Sequence, residues 1–215
     1  MNRSKVIALA ATASLMTASV IIPVSVDAHP GDGRSGSYKF KDVNEGYTHS
    51  SSIYKLANRQ VIKGYKDGTF RPNEQVTRGQ VASIITSILN INPINIPNPG
   101  FTDVTVANSH YNGIAALAKA GVLNGYGDKS FRPNAPLTRG QMAKVLVKAF
   151  QFKETASANT PFTDVNNSEY SNCINTLYEL GITRGTSKST FSPDIPVKRG
   201  QLASFVLRCE DISKK

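Results

Sequence analysis

The chain has 215 residues, a formal net charge of +10 at pH 7, two cysteines and no tryptophan. So basic a chain calls for an anionic partner. Its positive residues are scattered, however, and neither zinc-finger spacing nor an aromatic–basic platform occurs, which argues against nucleic acid. Without clustered His or Cys, neither a metal site, nor a bound cofactor, nor a cysteine nucleophile is expected.

Residues 1–28 read as a secretory signal peptide. Arg3 and Lys5 precede an apolar, small-residue run from Val6 to Val26, and Val26-Asp27-Ala28 suits signal peptidase. Removing it lowers the charge by one, because Arg3 and Lys5 leave with Asp27. The mature chain would begin at His29, with residues 29–37 as a flexible lead and no membrane span after cleavage. An exported basic protein fits an acidic cell-wall polymer as partner.

From Phe40 onward the sequence is threefold. An F-x-D-V opening recurs at Phe40, Phe101 and Phe162, 61 residues apart each time. A second phrase, GYKDGTFRPNEQVTRGQ, starts at Gly64 and returns from Gly125 and Gly185 in altered form. So regular a period marks three copies of one supersecondary unit. The expected boundaries are 38–92, 99–153 and 161–212, with linkers at 93–98 and 154–160. Only Ser213, Lys214 and Lys215 follow the third copy, and no further domain is expected.

Each unit predicts two helices. Helix A carries Ile53, Leu56, Ala57 and Val61 at helical spacing, and likewise Ile114, Leu117, Ala118 and Val122, then Ile174, Leu177 and Ile182. Ser50–Ser52 would cap the first, and Gly121 and Gly181 would stop the later two in a left-handed conformation. Repeat one offers Arg59-Gln60 in place of such a glycine. Helix B opens on capping boxes, Thr77 with Gln80 and Thr138 with Gln141. Lys198 replaces the threonine in repeat three, weakening that start by roughly 1 kcal/mol. Between A and B lies a glycine-aromatic turn followed by Phe70, Phe131 or Phe191, read as a plug between the repeat's two helices. One such pair is too small for a core, so an all-α, compact, roughly three-fold body is expected. Cys173 on helix A and Cys209 on helix B of repeat three would face each other if those helices pack together; a disulfide and two buried thiols are both open.

The residues at odds with simple folding rules are the candidates for function. Arg78, Arg139 and Arg199 each stand in the first turn of a helix, the wrong end for a cation. Each either pairs with its own repeat's acid (Asp42, Asp103 or Asp164) or joins the helix-start N–H groups in receiving a carboxylate or phosphate. Both roles can hold together. Gly79, Gly140 and Gly200 leave room for a ligand or for close packing of repeats. Tyr65 and Tyr126, after Gly64 and Gly125, offer rings to a sugar, whereas repeat three has Thr186 after Gly185.

These motifs resemble the S-layer homology (SLH) domain family in three tandem copies. That resemblance implies a pseudo-three-fold body whose inter-repeat grooves bind pyruvylated secondary cell-wall polysaccharide on Gram-positive envelopes. It also implies ligand roles for Asp42, Asp103, Asp164, Arg78, Arg139 and Arg199, with the turn glycines Gly64, Gly125 and Gly185. The chain departs from the family in lacking the tryptophan before helix A; Tyr47, Tyr111 and Tyr170 lie in that stretch. It also carries Gly where the family's helix start has Ala. On this reading repeats one and two line the better grooves. An adaptor for an unidentified envelope protein is the alternative. A wall-glycan enzyme is disfavoured, because the acids form three symmetric copies and no singular carboxylate pair.

Overall fold

Helix starts follow the capping chemistry. Thr77 Oγ1 accepts from the Gln80 amide at 3.3 Å, while Gln80 Oε1 accepts from the Thr77 N–H at 3.2 Å. Thr138 and Gln141 repeat the exchange, at 3.3 Å in both directions. In repeat three Gln201 Oε1 still accepts from the Lys198 amide at 3.1 Å. An ammonium has no lone pair to return, so that box is half made, as Lys198 implied. The computed structural model describes residues 39–93, 96–156 and 160–214. The expected signal peptide and flexible lead lie outside the described residues.

Six helices occur among the described residues: α1 (Ser50–Asn58), α2 (Arg78–Ile88), α3 (Tyr111–Lys119), α4 (Arg139–Ala149), α5 (Ser171–Glu179) and α6 (Arg199–Ser213). None is long and apolar enough to cross a membrane. The Ser50–Ser52 cap is not used. His49 is the N-cap, without a side-chain cap bond, and the Ser50 hydroxyl donates to the Glu45 carbonyl at 3.2 Å. Gly121 and Gly181 end α3 and α5 with φ of 66° and 69°, and Gln60 takes the same left-handed place after α1 at 58°.

The helices pair between repeats: α2 packs on α3, α4 on α5, and α6 returns to α1. Packing of each A helix on its own B helix, expected from sequence, is therefore replaced by packing on the preceding B helix. The reason lies in the first turn of helix A. At Gly113 an added Cβ would sit 3.0 Å from the backbone of Ala82 and Ser83, so α3 approaches α2 closely. Ser52 and Cys173 hold the matching places, and Ser204 Oγ donates to Ser52 Oγ at 3.1 Å. The all-α, pseudo-three-fold architecture is thus built from shared seams.

A closed ring of backbone bonds marks the axis. Val76 N–H donates to the Val197 carbonyl (2.9 Å), Val197 N–H to Leu137 (2.9 Å), and Leu137 N–H to Val76 (3.0 Å). All three side chains are fully buried. Phe70, Phe131 and Phe191 are buried too, stacked at a tilt on the opening Phe40, Phe101 and Phe162 with centroids 5.3, 5.3 and 5.8 Å apart.

The Cys173–Cys209 bridge does not form; both thiols are free and buried. Cys173 lies on α5 at the small-residue place facing α4, whereas Cys209 is on α6, which packs on α1. The premise that A and B of one repeat face each other fails, and the bridge fails with it.

Candidate functional site

The opening aspartates tie down the turns. Asp42 Oδ1 and Oδ2 accept from the Phe70 and Arg71 amides, both at 2.7 Å. Asp103 does the same for Phe131 and Arg132 at 2.7 Å, and Asp164 for Phe191 (2.9 Å) and Ser192 (2.7 Å). These bonds hold Arg71, Arg132 and Ser192 in left-handed backbone, with φ of 59°, 59° and 61°, a costly conformation for non-glycine residues. Gly64, Gly125 and Gly185 lie beneath the rings of Phe40, Phe101 and Phe162, where a Cβ would collide. The turn glycines therefore close the turn on its phenylalanine.

The helix-start arginines do not pair with the acid of their own repeat. Arg78 Nε donates to the Phe131 carbonyl at 2.8 Å and its Nη2 to Asn124 O at 2.8 Å, both in repeat two. Arg199 makes the same pair of bonds to Phe70 O (2.9 Å) and Lys63 O (3.1 Å) in repeat one. Arg139 Nε donates to Phe191 O at 2.7 Å in repeat three, but its Nη2 is buried without a partner. Gly185 takes φ +80° there, unlike Gly64 and Gly125, and no bond from Arg139 to the Arg184 carbonyl forms. Each arginine thus works on the following repeat, and the aspartate whose charge acts on it belongs to that repeat.

The helix-start N–H groups are also occupied. Arg78 and Gly79 amides donate to Ala135 and Pro133 carbonyls, and Arg139 and Gly140 to Ile195 and Pro193. Arg199 and Gly200 donate to Glu74 and Pro72. The expectation that these amides receive a ligand carboxylate is overturned, because the three-fold closure consumes them. Nη1 has no acceptor among the described residues in any of the three arginines, so what sets Arg139 apart is its missing Nη2 bond.

The helix-start glycines serve close packing. A Cβ on Gly79 would lie 2.7 Å from His110 Cδ2, one on Gly140 would strike the Tyr170 ring, and one on Gly200 would lie 2.7 Å from Tyr47 Oη. Tyr47, His110 and Tyr170 thus fill the space before helix A. Tyr111, by contrast, is the first residue of α3.

Two inter-repeat clefts follow from this arrangement. The first, about 560 Å³, is bordered by Arg199, the 60–65 segment with Gly64 and Tyr65, one face of α2, and Ser109–His110. The second, about 250 Å³, is its three-fold counterpart, with Arg78, Gly125, Tyr126, one face of α4, and Glu169–Tyr170. Each tyrosine carries guanidinium groups: Arg71 lies 3.9 Å and Arg199 5.1 Å from the Tyr65 centroid, and Arg132 4.2 Å and Arg78 4.8 Å from that of Tyr126. The rings therefore orient the arginines by cation–π contact. At the third junction Thr186 and Ser192 replace the tyrosine and second arginine; Arg139 lies over Phe191, as Arg78 does over Phe131 and Arg199 over Phe70, and it meets Phe205 where the others meet a tyrosine. The sequence links each tyrosine to the arginine of its own repeat. The structure links Tyr126 to Arg78 and Tyr65 to Arg199, so Arg139 is the odd one.

Burial lowers the pKa of all three arginines, that of Arg139 to about 10. Tyr126 and Asp103 oppose the shift at Arg78, as Tyr65 and Asp42 do at Arg199. These guanidinium groups stay charged at neutral pH while shielded from water, which strengthens their attraction for an anion. Sequence reasoning missed Ser83–His110, Lys144–Glu169, Arg71 and Arg132. Their shared register within the repeats was visible, but their residue types change from copy to copy. No group of three or more candidate metal ligands occurs among the described residues.

The family model for the S-layer homology domain matches residues 39–82, 100–143 and 161–203. The S-layer protein EA1 of Bacillus anthracis is 34% identical over 205 residues, covering 94% of this chain and 22% of that protein. The S-layer protein of Bacillus licheniformis is 35% identical over 205 residues, with the same two shares. An amylopullulanase of Thermoanaerobacterium thermosulfurigenes is 30% identical over 173 residues, 78% of this chain and 9% of that enzyme. The chain therefore spans about a fifth of the length of these S-layer relatives. Three matched copies, closed into one three-fold body, make this chain a member of the S-layer homology domain family.

Proposed function

We propose that this chain binds an acidic, pyruvate-ketal-bearing secondary cell-wall polysaccharide, with the ketal carboxylate received by Arg199 in the first cleft and Arg78 in the second. S-layer homology domains are non-catalytic modules that bind secondary cell-wall polymer and anchor proteins at the Gram-positive cell surface. That is where this chain belongs. The observation that carries the finer reading is the state of the two guanidinium groups. Each is buried, is held by two carbonyls through Nε and Nη2, and lines a cleft, with no acceptor for Nη1 among the described residues. A charge-assisted bond there is worth more than in bulk water. The opening aspartates act indirectly, by holding the turns that the arginines grip.

The test is co-sedimentation of the protein with purified cell wall before and after mild acid removal of the ketal. Retention should fall sharply after treatment. Equal retention on both would contradict ketal recognition, and no retention on either would contradict polymer binding.

A further inference from the structure

The two clefts share the Arg–Tyr arrangement but differ in what crosses them. Along α2 the first cleft presents Ser83 and Ser87; along α4 the second presents Lys144 and Lys148. Ser83 Oγ is hydrogen-bonded to His110 Nδ1 at 2.8 Å, which keeps both side chains against one wall. Lys144 Nζ instead reaches Glu169 Oε2 at 3.1 Å, and Lys148 Nζ reaches the Gly121 carbonyl at 3.2 Å. The lysines thus tie the α4 floor to both walls. Their bulk accounts for a second cleft less than half the volume of the first. Small-molecule sites commonly span about 300–1,000 Å³, a range that includes the first cleft and not the second.

The chemistry differs as well. In the first cleft Ile84, Leu202 and Ala203 add apolar lining. His110 is kept below the usual imidazole range by burial, so it faces the cleft as a neutral hydrogen-bonding group. In the second, two ammonium groups share the lining with Arg78, one of them paired with the Glu169 carboxylate. We propose that the first cleft is an extended subsite seating two successive sugar units, an acidic one at Arg199 and an uncharged one against Ser83–His110. The second, strapped by Lys144 and Lys148, seats one acidic unit only. This rests on the polysaccharide reading above and adds a division of labour between the clefts.

Calorimetric titration with the ketal-bearing sugar released from purified wall polysaccharide as a single unit, and with the two-sugar dimer that adds the adjoining uncharged sugar, tests it. The protein should bind both, with one class of sites gaining about tenfold in affinity for the dimer. Ser83→Lys with Ser87→Lys should abolish that gain and keep single-unit binding. Lys144→Ser with Lys148→Ser should create a second class that gains, a result that misfolding cannot produce. A dimer that gains nothing, a gain that survives the Ser83→Lys/Ser87→Lys change, or the absence of a second gaining class would overturn the division. Failure of the unaltered protein to bind either fragment would instead overturn the polysaccharide reading itself.

Discussion

Arg78 and Asp103 hold opposite ends of one residue: Arg78 Nε donates to the Phe131 carbonyl at 2.8 Å, and the Phe131 N–H donates to Asp103 Oδ1 at 2.7 Å. Arg139 and Asp164 do this for Phe191, and Arg199 and Asp42 for Phe70. Each turn is therefore clamped by its own repeat's acid and the preceding repeat's base. Stability and cleft geometry are coupled through that clamp. Asp103→Ala removes two bonds to a charged acceptor, each worth about 1.5–3 kcal/mol. It should lower the thermal midpoint and weaken wall binding together. A variant with unchanged melting would contradict the clamp.

The helix-start glycines predict a graded series. Gly140→Ala drives a methyl into the body of the Tyr170 ring, Gly79→Ala into the edge of His110, and Gly200→Ala meets the far end of Tyr47. Overpacking costs about 1–3 kcal/mol, and the order of loss in chemical denaturation should be Gly140, then Gly79, then Gly200. Helix propensity alone favours alanine at all three positions, so stabilisation throughout would contradict these contacts.

Much of the fold was legible because its signals are local. The period set the three-fold body, the Thr–Gln boxes set two helix starts, and Gly121 and Gly181 set two ends. Gln60 was not legible as a stop, because a non-glycine residue takes the left-handed place only under the grip of its surroundings. The seams were hidden for a different reason: Gly113 against Ala82–Ser83 is a relation between copies, and a repeat reads the same whichever neighbour its helix meets. That one ambiguity left the disulfide open and hid which aspartate and which tyrosine each arginine meets. The candidate arginines themselves were visible, since a cation at a helix start contradicts the dipole and signals a separate cause.

Acid should destabilise the protein through its two seam histidines. His49 and His110 accept or donate at Ser204 and Ser83, each at 2.8 Å. Both are held below the usual imidazole range by burial, and His49 also by Arg208. The unfolded chain therefore binds more protons at these sites, and stability rises with pH. Their contribution is complete above about pH 6.5 and declines as pH falls through the lowered folded values. The thermal midpoint should drop on acidification below that point, and His110→Asn should reduce the slope. A midpoint that rises on acidification over this range would contradict the assignment.

The thiols should behave as inert core groups. Burial pushes Cys173 up to about 11 and raises Cys209 as well, so neither forms appreciable thiolate at neutral pH. A thiol reagent should modify the native protein only at the rate of unfolding. Mobility in denaturing gels should be the same with and without reductant. Rapid modification of native protein would contradict this burial.

The most direct measurement compares wall-binding isotherms of Arg78→Lys, Arg139→Lys and Arg199→Lys, each beside a circular dichroism melt. Lysine keeps the charge but loses the fork that holds two carbonyls and a ligand at once. Binding should be at least about tenfold weaker for Arg78→Lys and Arg199→Lys, with affinity retained for Arg139→Lys, whose junction lacks the tyrosine and second arginine. Equal losses at all three positions, or losses that only follow the unfolded fraction, would contradict this expectation.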